Sequence, residues 1–290
     1  MNIAVLSRGS SLYSTKSIIN AGATRNHAME VLDPTYCTLS IENYKPVVRY
    51  YDEIIDDLDA IIPRIGASNT YLGSSVVRHF QSLGVFTVVS ADAILQSRDK
   101  WICTQILSKA NVAVPKTFFG NATDFDTILS EFKNAPVIIK ILEGTHGNGV
   151  ILAETYKSAL STMQTLKTAE VPFIVQEFIK ESNGSDVRII VIDGEVVASM
   201  KRHSKDGDFR SNLHRGGSSE IIKLTHEEEH IAIRASKALG LGVCGVDILQ
   251  SKNGPLVLEI NSTPGLEGIE TTTGINISQK MISYIERNKQ

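Results

Sequence analysis

Asp247, Glu259 and Asn261 are oxygen-bearing residues whose spacing lets them meet on one face of a β-hairpin. Glu259 and Asn261 lie in Leu258-Glu259-Ile260-Asn261, and side chains two apart on a strand share a face. A three-residue turn, Lys252-Asn253-Gly254 with Gly254 left-handed, sets Asp247 opposite Glu259. Val246 and Ile248 then fall with Leu258 and Ile260 on the other face, whereas a two-residue Asn-Gly turn would shift the register by one and break that sorting. Carboxylates facing each other repel unless a cation sits between them. Two carboxylates and an amide oxygen suit Mg²⁺ or Mn²⁺ shared with substrate phosphates. The plainer alternative, a solvated polar face with scattered charges, sits badly with the flanking apolar residues.

Lys140 and the loop Glu143-Gly144-Thr145-His146-Gly147-Asn148-Gly149 form a second group. The loop lies between two apolar runs, residues 136–142 and 150–153, that both read as strands. A dinucleotide fingerprint or a P-loop needs a helix after its glycines, so both fit poorly. A glycine-rich loop between antiparallel strands can instead fold over phosphates, with the Lys140 ammonium beside them. Taken alone, an ordinary flexible hairpin with a solvated lysine explains the pattern equally well. Gln176-Glu177-Phe178-Ile179 ends a further strand. Beside a nucleotide site it can read adenine through backbone groups and ribose through a carboxylate; in isolation it is only a strand end. Asp186 can do similar polar work or cap a turn. The third group is cationic: Arg188, Lys201, Arg202, Arg210, His214 and Arg215, with Asn212 among them. Any one surface arginine is ordinarily just solvated. Residues 207–217 together are too polar for a core and too rich in cations for a plain linker. Arginine grips carboxylate and phosphate oxygens with two N–H groups, so such a loop can hold a triphosphate and an acidic substrate together.

These residues need strands to position them. Residues 3–6, 29–32, 60–63 and 85–89 are apolar runs separated by amphipathic stretches at 17–25 and 71–83, which predicts a small parallel α/β sheet. A helix is expected over 97–110. Beyond it, strands at 136–142, 150–153 and 172–179 and a helix at 156–167 give way to a β-rich region. There Asp193-Gly194 between apolar runs signals a hairpin. A polar loop over 202–219, a helix over 227–239, a last hairpin over 243–261 and a final helix over 278–287 complete the pattern. The 290 residues suggest two domains. A net charge of -3 gives no basic field for nucleic acid. Cys37, Cys103 and Cys244 form neither a disulfide ladder nor a CxxC metal pair, as expected of a cytoplasmic protein. No apolar run approaches the length of a membrane span, and the first residues lack a signal-peptide pattern.

Taken together, the sequence resembles the ATP-grasp ligases, and most closely the RimK-type α-L-glutamate ligases that modify a small-subunit ribosomal protein. The resemblance runs through the whole chain: Ser7-Arg8 with Leu12-Tyr13-Ser14; Pro63-Arg64-Ile65-Gly66; Arg98-Asp99-Lys100; Glu143-Gly144-Thr145 with Gly147 and Gly149; the 207–217 loop; Gly245-Val246-Asp247-Ile248-Leu249; and Asn261 before Pro264-Gly265-Leu266-Glu267-Gly268-Ile269-Glu270. Ser10-Ser11 and Ser262-Thr263 depart from the family's pattern. The resemblance implies an α/β pre-ATP-grasp domain with a parallel sheet over 1–95, then a two-lobed α+β ATP-grasp domain over 96–290, with lobes of about 96–175 and 176–290. It implies that Lys140, and Lys100 as a second candidate, contact the nucleotide phosphates. Glu177, Phe178 and Asp186 would line the adenosine pocket, and Arg210, Ser211 and Asn212 would complete the ATP site. Asp247 and Glu259 would hold one metal, Glu259 and Asn261 the other, so that ATP and two Mg²⁺ or Mn²⁺ ions are the expected cofactors. Arg188 and Arg210 are the expected catalytic residues, and Arg202, His214 and Arg215 the expected substrate contacts. The implied reaction joins L-glutamate to the carboxyl terminus of a ribosomal protein through an acyl-phosphate, releasing ADP and phosphate, with poly-glutamate as an extended product and a homo-oligomer as a compatible state. Alternatives are a related ligase acting on an amino-group carrier protein, a cofactor tail or a small peptide, and, further off, a phosphotransferase or an ATP-binding module.

Overall fold

The computed structural model describes residues 1–120, 124–142, 149–205, 209–211 and 216–289. The amino-terminal part runs β1 (Asn2–Leu6), α1 (Tyr13–Ala23), β2 (Ala28–Leu32), β3 (Cys37–Glu42), β4 (Lys45–Tyr50), β5 (Glu53–Ile54), β6 (Ala60–Pro63), α2 (Thr70–Ser82) and β7 (Phe86–Thr87). β1 and β6 are continuous apolar runs, which suits central parallel strands covered on both faces. They pair in the order β2-β1-β6-β7, all parallel, the sheet the sequence predicts. The antiparallel meander β3-β4-β5 was not anticipated; its strands are largely half-buried or exposed and lack a clear apolar face.

The helix expected over 97–110 is α4 (Lys100–Lys109); a separate helix not read from the sequence, α3 (Ala91–Arg98), precedes it and overlaps the expected range only at Ser97 and Arg98. Asp99 is extended, at φ -80 and ψ 110, and its carboxylate accepts the N–H groups of Trp101 and Ile102 at 2.9 Å each. It is thus the N-cap of α4, two residues inside the expected start of the helix. A middle lobe follows: β8 (Thr117–Phe119), α5 (Phe125–Ser130), β9 (Val137–Ile141), β10 (Val150–Ala153), α6 (Tyr156–Thr168) and β11 (Phe173–Glu177). Its antiparallel sheet has the order β10-β9-β11-β8. Val137, Ile139, Phe173 and Val175 point from one face into a separate core with Leu129 and Met163. Where the chain enters and leaves this lobe, the Glu177 N–H donates to the Lys116 carbonyl at 2.8 Å.

The distal lobe comprises β12 (Ser185–Ile192), β13 (Glu195–His203), β14 (Ser218–Ile221), α7 (His226–Ala238), β15 (Val243–Ser251), β16 (Gly254–Asn261), α8 (Glu267–Thr273) and α9 (Ile277–Asn288). Its five strands are ordered β14-β13-β12-β15-β16. Asp193 and Gly194 turn the first hairpin with φ of 56° and 74°, which the Asp-Gly pair tolerates. The expected polar loop is shorter than predicted, because its flanks pair as β13 and β14, from Met200↔Ile221 to His203↔Ser218. This lobe shares one continuous core with the amino-terminal sheet, from Ile3 through Val246 to Ile285. A Cβ on Gly242 would lie 2.6 Å from the Val88 carbonyl oxygen and 2.4 Å from the Tyr284 hydroxyl, so the two parts touch with no space between them.

Candidate functional site

The distal sheet brings the predicted residues into one row. Arg188 of β12 is directly opposite Asp247 of β15, and Asp247 is directly opposite Glu259 of β16. The expected Asp247–Glu259 pairing is therefore present, but the turn is not the one expected. Ser251 pairs with Gly254 around a two-residue Lys252-Asn253 turn, and the ladder keeps that register as far as Ile248↔Val257. A bulge at Leu258 then restores the offset that sets the carboxylates opposite each other. The bulge also changes the apolar partner: Val257, 1% exposed, packs inward where Leu258 was expected, and Leu258 is half-buried. Asn261 keeps its predicted place beside Glu259, and its amide N–H donates to Glu259 Oε1 at 3.2 Å.

Asp247 is 1% exposed and is held by two guanidiniums. Arg188 grips it with both N–H arms at 2.7 and 2.6 Å, and Arg202 reaches it at 2.8 Å. Burial alone would raise the Asp247 carboxyl, but Arg188 and then Arg202 hold it well below the usual carboxylate range. Arg202 also forms a bidentate pair with Asp186, its cross-strand neighbour, at 2.6 Å on each arm. Asp186 and Arg202, expected at an adenosine pocket and a substrate contact, thus meet each other at 4% and 5% exposure. Glu259 differs from Asp247. Its side chain is open to solvent yet deep among protein atoms; this burial, and next the nearby Asp247 charge, raise its pKa. A carboxylate pair in which one member resists ionisation is a donor set that a divalent cation would relieve. Asp247, Glu259 and the free oxygen of Asn261 therefore fit a hard metal ion, although the described residues contain no cluster of three or more His, Cys, Asp or Glu.

Lys140 stands on the middle lobe's other face, away from that lobe's core. Ile138 and Ile174 flank it there, buried but outside both cores. Its ammonium donates to Gln176 Oε1 at 2.6 Å. Burial pushes its pKa down to about 8, while the charges of Glu259 and Lys100 act on it in opposite directions. Lys100 opens α4 and donates to the Leu142 carbonyl at 2.8 Å, at the root of the glycine-rich loop. Burial lowers its pKa too. That loop joins two antiparallel strands as predicted, with Lys140 opposite Val150, but residues 143–148 lie outside the described residues. Glu177 is exposed at the end of β11 and lines a cavity of about 110 Å³ with Val114, Ile179 and Leu256; Phe178 beside it is half-buried. In the 207–217 loop, Arg210 lies 5.1 Å from the Phe209 ring centroid and Ser211 is buried. Asn212, His214 and Arg215 lie outside the described residues.

Comparison with known proteins covers the whole chain. Residues 1–94 match a RimK pre-ATP-grasp domain and residues 97–285 a RimK-like ATP-grasp domain. The chain is 48% identical over 289 residues to a probable alpha-L-glutamate ligase of Thioalkalivibrio sulfidiphilus, covering 99% of this chain and 96% of that protein. A probable alpha-L-glutamate ligase of Halorhodospira halophila is 47% identical over 291 residues, covering 100% and 96%. The ATP-grasp ligase PsnB, solved with a minimal precursor, shares the fold at a TM-score of 0.79 with 21% identity, over 100% of this chain and 99% of that one. Matched over residues 1–94 by one model and 97–285 by the other, the chain belongs to the RimK-like ATP-grasp family and is an ATP-dependent carboxylate–amine ligase.

Proposed function

We propose that the protein is an α-L-glutamate ligase that adds L-glutamate to the carboxyl terminus of a small-subunit ribosomal protein in the cytoplasm, and extends it to poly-glutamate when the product re-enters as acceptor. The observation that carries this reading is the row Arg188–Asp247–Glu259 on the distal lobe, whose Glu259 charge acts on Lys140 of the middle lobe across the cleft between them, in a chain that matches probable alpha-L-glutamate ligases along its whole length. In the proposed reaction an acceptor carboxylate oxygen attacks the γ-phosphorus of ATP, and ADP leaves. The amine of glutamate then attacks the acyl carbon, phosphate leaves, and the amine proton is lost to solvent. Asp247, Glu259 and Asn261 would hold two divalent cations, Mg²⁺ or Mn²⁺, whose chemistry is to neutralise charge on the transferring phosphoryl group. Lys140 binds the terminal phosphates from the middle lobe, and Lys100 anchors the Leu142 carbonyl where the glycine-rich loop begins. Glu177 and Phe178 bind adenosine at the hinge, and Arg210, Ser211 and Asn212 close the ATP site. Arg188 orients the acceptor carboxylate and stabilises the oxyanion on its carbonyl. Arg202 secures Asp247 and Asp186, and His214 and Arg215 contact the acidic substrate.

The test is intact-mass analysis of purified small-subunit ribosomal proteins after incubation with enzyme, ATP, Mg²⁺ and glutamate. Glutamate-dependent release of ADP with mass additions of whole glutamyl residues on one protein is the expected result. Release of AMP and pyrophosphate, or of ADP without glutamate dependence, refutes the reading.

A further inference from the structure

Three arginines of the amino-terminal part gather where β1 and β6 end. In a parallel sheet of order β2-β1-β6-β7 the chain winds away in opposite directions from β1 and β6, so a crevice opens beyond their carboxyl ends. Arg8 follows β1 and Arg64 follows β6 directly. Arg8 is exposed, and its guanidinium lies 3.6 Å from the Cβ position of Gly66. Arg64 is half-buried and donates to the Pro264 carbonyl at 2.8 Å. Arg98 enters from the side and donates to the carbonyls of Ile65 and Gly66, to Thr70, and weakly to Thr263 at 3.5 Å.

None of the three has a carboxylate partner among the ion pairs of the described residues. Burial lowers the pKa of Arg64 and of Arg98 to about 10, so their charge is poorly compensated. The countercharge acting on Arg64 is Glu270, which already accepts from Ser17 and from the N–H groups of Ile277 and Ser278. α1 begins at the same crevice with no side-chain cap on its first turn, adding partial positive charge. The crevice also abuts the cleft: Pro264, gripped by Arg64, follows Asn261 by three residues, and Thr263 donates to the Ile65 carbonyl at 3.3 Å.

Resting on the ligase reading above, we propose that Arg8 and Arg64, backed by Arg98, form a carboxylate-binding subsite that holds an acidic substrate from the amino-terminal side while its reactive end reaches the cleft. Each guanidinium can give a carboxylate two parallel bonds. The carboxylate belongs either to incoming glutamate or to the acidic end of the acceptor, and the two are separable by titration. Full-length wild type, Arg8→Ala and Arg64→Gln are titrated calorimetrically with L-glutamate and with α-linked triglutamate, each with a non-hydrolysable ATP analogue and Mg²⁺ present. Arg64→Gln keeps a donor for the Pro264 carbonyl, and Arg8 is exposed, so both variants should fold. Loss of one charge-assisted contact predicts about 10- to 150-fold weaker binding of one ligand, with analogue affinity within twofold. Which ligand loses affinity identifies the source of the carboxylate. If the wild type releases ADP on addition of glutamate but both variants bind both ligands within threefold of it, the subsite is wrong and the ligase reading stands. If glutamate does not stimulate the wild type, the reading on which the subsite rests fails first.

Discussion

At the scale of single residues, Asp247 and Glu259 occupy one row of a sheet yet their pKa values move in opposite directions: Arg188 and Arg202 bond Asp247 directly and hold it low against its burial, whereas burial and the Asp247 charge raise Glu259. Glu259→Ala should leave the fold unchanged and lower kcat by at least about 10²- to 10³-fold, the range seen when a positioned electrostatic group is lost. Steady-state kinetics with circular dichroism as a fold control checks this; near-normal turnover at ordinary Mg²⁺ would remove Glu259 from the site. Lys140 predicts a pH effect. Its folded pKa, about 8, lies below that of an unfolded lysine, so keeping it charged is unfavourable by about 3 kcal/mol at neutral pH, and the penalty fades as pH rises from 8 toward 10.5. Lys140→Met should then be more stable than wild type by about 1–2 kcal/mol, after loss of the Gln176 bond, while binding ATP poorly. In the wild type, kcat/KM for ATP should fall as pH rises through about 8, where the free enzyme loses this cation; a flat profile to pH 9 would show that Lys140 does not contact the phosphates. The sequence made the faces of Glu259 and Asn261 readable, since alternation alone assigns them. It concealed the arginine clamps, because those depend on register.

Register belongs to the scale of elements, and here two one-residue bulges decide the site. Leu258 in β16 sets Asp247 opposite Glu259. In β13 the pairing shifts between Ile190↔Ala198 and Val191↔Val196, and the extra residue, Val197, sets Arg202 opposite Asp186. Counting back from the Asp193-Gly194 turn without it would place Lys201 there instead. Neither bulge has a glycine or proline to mark it, so turn counting could not find them. The break between α3 and α4 was legible in principle, since Asp99 is a good N-cap residue. α3 itself is short and has no strong apolar face, so periodicity does not announce it. Asp99→Ala should lower stability by about 0.5–2 kcal/mol in urea unfolding. It should also raise KM for ATP, because Lys100 begins the helix that Asp99 caps and tethers the loop root at Leu142.

For the whole molecule, strand and helix alternation made the parallel sheet and the lobes that follow readable, but not which parts share a core. Residues as far apart as Ile3 and Ile285 pack together, whereas the middle lobe keeps its own interior. Parts with separate cores open separately. Native-state hydrogen exchange should therefore show β9 and β11 exchanging as one unit, faster than β1 or β15, and slowing when a non-hydrolysable ATP analogue bridges the lobes. Exchange of all four strands at one common rate would contradict this. The junction between Lys116 and Glu177 has a further consequence. The two chain crossings meet at the Glu177–Lys116 hydrogen bond, beside the Thr117–Gln176 pair, so the middle lobe is topologically an insertion whose ends touch. Joining Val114 to Ile179 through a short glycine bridge would close the remaining chain at little entropic cost. The lobe, with its own interior and its Lys140, is then a transplantable cassette: exchanged between relatives, it would carry the nucleotide contacts proposed for it and leave the proposed acceptor contacts of the other parts behind.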